Sequence, residues 1–414
     1  MFKHNNVHAQ ANNVHSNAHK GPSGATTKLN VQPHQQDTIP RGNKFNFVTL
    51  NIPSQSQPTV NGSFIIDLKV KNIMVHDLLL QWNVTATNCV LTPTPFWIDH
   101  IDIMQNSVIL DTIYGEFSWL LQQMFNPDTN RTALNYAEGN YLDETNTANL
   151  YNQPNSIVYT NISCLINQCH LSLLTPQHDI QLRIYTKNQD AWINQSITKG
   201  GGGTPSIAIN SVQLLVKATE LSADIAQSEL LSLTKTPKHY MYHSTLNFLQ
   251  TVNSGVTNVN LTLTSITNNV VALFLVIRPA SFIGAEAYDA FMKIKQFELL
   301  SAQGQNIMGG SPFESTYDLL EYIPKHVNNG ISTFTSESYN GTNQSYVYCY
   351  SFANNLLDAI KHGSYSGSRT FNGSEQLKLQ FDTALTSAIQ INVYAIIESA
   401  LDYSPTKITK LLIN

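Results

Sequence analysis

Charge is what this chain has least of. Only 12% of its 414 residues are Asp, Glu, Lys or Arg, where an ordinary soluble domain carries about a quarter. Asn, Gln, Ser and Thr fill the deficit. A surface of amides and hydroxyls repels neighbouring copies weakly and suits a molecule that lies against other protein. Basic clusters are missing as well. No Lys/Arg run exceeds two residues and the formal net charge is −5. Direct binding of nucleic acid is therefore excluded, because it needs cations ranged along phosphates.

Cysteine is scarce. Cys89, Cys164, Cys169 and Cys349 are too few and too scattered for a disulfide framework. Cys164-x4-Cys169-His170 resembles a metal spacing, but on a strand an odd interval puts the thiols on opposite faces. They read as small buried side chains. No stretch approaches the roughly 18 apolar residues of a membrane-spanning helix. Met1–Lys20 has no apolar centre of the signal-peptide kind. Sequons such as those at Asn83 and Asn260 arise by chance in this composition.

What the chain does have is internal repetition, sought first because it decides the architecture. Ile101–Met124 reads as a strand, a polar turn at Gln105-Asn106-Ser107, a short strand Val108–Leu110 and an amphipathic helix Gly115–Met124. Gln296–Ile323 repeats the order, with a helix over Pro312–Ile323. Thr49-Leu50-Asn51 returns as Thr245-Leu246-Asn247, at an offset of 196. Phe64–Asn72 matches Val259–Thr267, and Ile180–Thr186 matches Glu375–Phe381, both at an offset of 195. Val212–Glu220 matches Gln390–Glu398 at 178, the second copy lacking the Lys199–Pro205 loop. Five matches in one order indicate a duplicated domain, and 414 residues are enough for two cores.

Residues 1–40 form an arm rich in Asn, His, Gln and Ala, too poor in apolar surface to offset its ordering entropy. His4, His8, His15 and His19 share one helical face beside a thin stripe of Val7, Ala11, Val14 and Ala18. Three readings stand: an arm that turns helical on a partner subunit or a lipid surface, a solvated tail, or a His cluster that binds metal. Charging of these histidines near pH 6 is expected to change how the arm docks.

From Phe45 the period changes to two. The first domain spans residues 41–220, the linker 221–237, the second domain 238–401 and a C-terminal tail 402–414. Each copy gives about eight short strands, one short helix and one long polar loop, Asn126–Pro154 in the first and Val327–Gln344 in the second. The fold class is all-β: two tandem eight-stranded antiparallel jelly rolls, each with a short helix and a long loop insertion.

Catalytic patterns are weak. Asp99-His100-Ile101-Asp102 and His239-x3-His243 are the best metal candidates, as in the metal-binding jelly rolls of cupin enzymes. His100 and Asp102 share a strand face. A mononuclear site needs three or four converging ligands, and no His-x-His with a downstream Glu occurs in either copy. His100, Asp102, His239 and His243 therefore define no metal centre, and no cofactor is called for. The glycines of Lys199–Thr204 lie between strands, not at a helix start, so they cradle no phosphate. No nucleophile elbow is present. Trp82, Trp97, Trp119 and Trp192 could supply a sugar platform for a spike-like or receptor-binding sandwich. All four sit in apolar or helix-face settings except Trp192, in DAWINQ.

The tandem units at Ile101–Met124 and Gln296–Ile323, with the closing strands Val212–Glu220 and Gln390–Glu398, carry a resemblance over about residues 40–402. So organised, the chain resembles the double jelly-roll major capsid proteins of icosahedral double-stranded DNA viruses, the lineage of tectiviruses, large eukaryotic DNA viruses, virophages and adenovirus hexon. Gly367–Ser374 is similar to a Gly/Ser–aromatic–Asn approach in many members. The resemblance implies a structural protein and no enzyme. Three chains would form a pseudo-hexagonal homotrimer that tiles a virion shell, with neighbouring capsomers, minor capsid or penton proteins and internal membrane lipids as partners. The two long loops would be outer or inter-subunit loops. Met1–Pro40 and Asp402–Asn414 would be inner arms.

Overall fold

Buried and half-exposed side chains take turns along Ile73–Thr87, and this alternation sets the plan of the first half. One face enters a core and the other stays open, as in an antiparallel sheet covered on one side. In the computed structural model the described residues are 46–125, 128–139, 152–194, 203–280, 291–308, 313–314, 346–354, 356 and 367–412. The N-terminal arm with its histidines, the Val327–Gln344 loop and most of Lys199–Pro205 lie outside them.

The first half comprises β1 (Asn46–Pro53), β2 (Ser63–Leu68), β3 (Ile73–Thr87), β4 (Ile98–Gln105), β5 (Val108–Tyr114), α1 (Gly115–Phe125), α2 (Asp128–Ala137), β6 (Asn152–Ile162), α3 (Leu165–Gln168), β7 (Ser172–Leu173), β8 (Ile180–Thr186), α4 (Gln189–Trp192) and β9 (Ser206–Glu220). After α5 (Ala223–Lys235) come β10 (Lys238–Val252), β11 (Asn258–Thr262), β12 (Thr267–Pro279), β13 (Gln296–Leu300), β14 (Phe313–Glu314), β15 (Tyr348–Ser351), β16 (Arg369–Asn372), β17 (Gln376–Gln380), β18 (Ile389–Tyr403) and β19 (Ile408–Leu412).

Sheet order makes the duplication explicit. The first half pairs β1-β9-β3-β6 against β2-β8-β4-β5. The second pairs β10-β18-β12-β15 against β11-β17-β13-β14. Matched strand for strand, the two orders are the same; four of the sequence matches fall on topologically equivalent strands, and the fifth does so for β4 and β13. Each half is a two-sheet jelly roll with its own core.

The β4–β5 turn lies where the sequence puts it. Asn106 and Ser107 both take positive φ (49° and 64°), as a two-residue hairpin of the strand-matching hand requires. Asparagine does much of this work: six of the eight non-Gly residues at positive φ among the described residues are Asn. Its short side chain tolerates that region better than most, which gives the abundant amides a structural use.

Several expectations need correction. The Asn126–Pro154 loop contains helix α2, and 140–151 lie outside the described residues. In the second half Phe313–Glu314 is not the start of a helix. It is strand β14, because Phe313 must pair with Phe297 to finish its sheet. The rest of Pro312–Ile323 is outside the described residues. The linker is largely the helix α5, since ADIAQSELLSLTK has no Gly or Pro, and it buries Ala226 and Leu233 in the first core. The expected C-terminal arm is instead a hairpin as far as Leu412. β18 runs on to Tyr403 and β19 folds back on Ser399–Tyr403. Leu401, Tyr403 and Ile408 are buried with the first half's core.

Gly115 joins β5 to α1 where two carbonyls press in. A Cβ there would lie 2.1 Å from Pro95 O and 2.5 Å from Ile98 O. Gly115→Ala should cost about 1–3 kcal/mol through forced backbone movement, read as a lower denaturant midpoint with an unchanged slope.

Candidate functional site

β12 breaks the alternation. From Val270 to Arg278 every side chain is buried, because the strand is covered on both faces. One face belongs to the second core. The other carries Ala272, Phe274 and Val276, which meet Phe117, Leu120, Met124 and Phe125 of α1 in a third apolar cluster. Helix α1 of the first half thus seals the outer face of the second half's sheet. Phe117 stacks on Tyr394 of β18 (4.8 Å between centroids, 15°) and meets Phe274 edge-on at 5.1 Å.

Charge is set into this apolar seam. Arg278, buried at the end of β12, forms an ion pair with Glu116 in the first turn of α1, also buried. Tyr394 donates its hydroxyl to Glu116 Oε1 at 3.3 Å, and the Arg278 guanidinium lies 5.5 Å from the Phe291 ring centre. Burial pulls the guanidinium down to about 10, so it stays charged at neutral pH. Sequence reasoning missed this pair. The signal was there: Arg278 ends eight unbroken apolar residues, and a charge in such a strand needs a buried partner.

A second contact joins the halves at the end holding the β2–β3 and β4–β5 turns. His178 of the β7–β8 segment is buried, and its Nε2 lies 2.6 Å from Ser404 O. The carbonyl can only accept, so Nε2 carries the proton. Nδ1 then faces the Leu174 N–H and the Tyr403 hydroxyl, both at 3.4 Å. Tyr403 also donates to Ser172 O. Thr175 donates to Pro405 O at 3.0 Å, and Gln105 Oε1 accepts from Ile408 N at 2.9 Å. The C-terminal hairpin is latched to the first jelly roll.

The metal candidates do not converge. His100 bonds Asp99 (Nδ1–Oδ2, 2.7 Å) and stacks on Tyr185 at 4.2 Å. Asp102 is 3.9 Å from Nε2 and accepts from Thr112 at 2.9 Å. His239 pairs with Asp402 across β10 and β18 at 2.5 Å. His243 shares its strand face, and burial holds the His243 imidazole down to about 4. His100 sits in the other half. Among the described residues no group of three or more His, Cys, Asp or Glu is placed to hold a metal.

Cys164 precedes the helix α3, so the strand-face argument does not apply to Cys164 and Cys169. Burial nevertheless pushes both thiols up to about 12, and all four cysteines are free. The four tryptophans are all buried. Trp192 stacks on Trp97 at 4.5 Å and donates to Lys187 O at 3.1 Å, so none offers a sugar platform.

Two outcomes test these contacts. Glu116→Leu or Arg278→Met alone should cost about 3–5 kcal/mol, while the double variant should recover most of the loss, measured as a double-mutant cycle in denaturant. Burial lowers the His178 pKa. A base with a depressed folded pKa contributes fully above its unfolded value of about 6.5, and the contribution fades as pH falls below it. His178→Gln should therefore melt below wild type at pH 7.5, with the gap narrowing toward pH 5.

No protein-family model matches the chain, and no curated protein matches it in sequence. Its fold matches solved capsid structures. VP54 of PBCV-1, as fitted into a reconstruction of the virophage Sputnik, superposes with a TM-score of 0.63 at 13% identity, covering 90% of this chain and 98% of that one. The Faustovirus major capsid protein gives 0.59 at 9%, covering 87% and 91%. The mavirus major capsid protein gives 0.52 at 10%, covering 96% and 97%. Two jelly rolls of one strand order, sealed by a helix from the first, thus give this chain the double jelly-roll fold found in those viral major capsid proteins.

Proposed function

We propose that the chain is a structural major capsid protein and not an enzyme. Three copies form a pseudo-hexagonal homotrimer, and trimers tile the icosahedral shell of a double-stranded DNA virus. The observation that carries this reading is an unequal pair of equivalent sheet faces. The outer face of β12 and β18 is apolar and covered by α1. The equivalent face of β1-β9-β3 is open. It presents Thr49, Lys217 and Asp77 in one register row, then Asn51, Leu215 and Leu79, then Gln213 and Gln81.

A duplicated chain that fills one such face internally leaves the other for a neighbour. Three copies in a ring use every face, and closure ends growth. Amides and a half-buried Leu pair suit a contact between subunits that first fold alone. Neighbouring trimers, minor capsid or penton proteins and the lipid of an internal membrane are the further partners, the last reached by residues 1–40. Residues 1–40, 41–220, 221–237, 238–401 and 402–414 serve as arm, first jelly roll, linker, second jelly roll and closing segment. Nucleic acid is not a partner, and the place of work is the virion.

Light scattering of the full chain should give about 138 kDa, three times 46.1 kDa. Leu215→Arg should shift the species to 46 kDa without lowering the melting temperature of the isolated chain. A wild type that stays monomeric at every concentration would overturn the trimer.

A further inference from the structure

The seam between the halves is not filled along its whole length. Below α1 it opens into a cavity of about 250 Å³ with one side toward solvent, bounded by α1, β5, the end of β6 and β10. Its two sides differ. Phe117, Leu121 and Phe125 of α1, with Ile396 of β18, make an apolar wall. Asp111, Asn161 and His243 lie among the polar groups opposite. At about 30 Å³ for each water-sized group, the space holds a molecule of about eight heavy atoms.

We infer that this cavity is a binding site for an uncharged medium-chain amphiphile, its alkyl chain against α1 and a hydroxyl head toward Asp111 and His243. Small-molecule sites have this composition, an apolar lining with a few placed polar groups. The head is uncharged for two reasons. Asp111 accepts backbone N–H bonds from Thr112 (3.1 Å) and Leu165 (3.2 Å) and keeps lone pairs for a hydroxyl donor, but it disfavours a carboxylate. A cationic head would be repelled by Lys410, whose Nζ donates to Ser244 Oγ of the lining at 3.2 Å. His243, held neutral by burial, exchanges hydrogen bonds without adding charge. The ligand would touch α1 of one half and β10 and β18 of the other, so binding is coupled to how firmly the halves are joined. This site belongs to the seam and does not rest on the shell reading.

The test uses the full chain and octan-1-ol as probe, with octanoate as the charged control. Thermal unfolding followed at pH 7.5 should show a saturable rise in melting temperature with octan-1-ol and a much smaller one with octanoate. Ser118→Phe and Leu121→Trp each fill the space from the α1 side, and both should abolish the rise. Saturation-transfer NMR should show the octanol methyl signal in wild type and lose it in whichever filled variant folds. Absence of a saturable response in wild type would overturn the site. So would an undiminished response in a folded filled variant, or equal responses to octanol and octanoate.

Discussion

A buried Arg278–Glu116 pair inside an aromatic seam fixes how the two jelly rolls meet. An apolar seam alone tolerates sliding, since stacked rings such as Phe117 on Tyr394 are worth only about 0.5–1.5 kcal/mol each beyond their burial. A buried charge does not tolerate it. Moving Glu116 away would leave a buried guanidinium uncompensated. The pair adds little net stability but makes one register much better than its neighbours. Gly115 is tied to the same requirement, because only a residue without a Cβ lets α1 start against Pro95 and Ile98.

The same seam explains why two copies of one fold differ in sequence character. β3 alternates because its outer face is open, while β12 is apolar from Val270 to Ile277 because its outer face is covered. Duplication supplies two equal sheets, and the α1 insertion makes them unequal. The low charge of the chain belongs with this division. An open sheet face of amides stays soluble in the single chain and loses little solvation when another copy covers it.

Much of this was legible in the sequence. The offsets located equivalent strands because alternation and turn residues are local properties, and Ile180–Thr186 coincides with β8 residue for residue. Errors gathered where distant partners decide the outcome. Phe313–Glu314 reads as the entry to a helix until Phe297 is seen to need a strand partner. Asp402–Asn414 reads as a tail because its partners lie 226 to 303 positions away, Ser404 meeting His178 and Ile408 bonding to Gln105. His100 and Asp102 do share a face, yet a spacing rule cannot tell that Asp99 takes the His100 proton donor and Thr112 occupies Asp102. The continuous run of β12 was visible, but reading it as doubly covered requires knowing which element covers it.

The C-terminal hairpin has a bearing on biosynthesis. Its contacts with Gln105, Thr175 and His178 complete the first half with residues made more than two hundred positions later. A nascent first jelly roll can collapse early, since its eight strands are contiguous in the chain. The pocket for Tyr403 and Ile408 then waits, unfilled, until β18 and β19 have been made. A chain that stops short of β18 leaves that part of the first core uncovered.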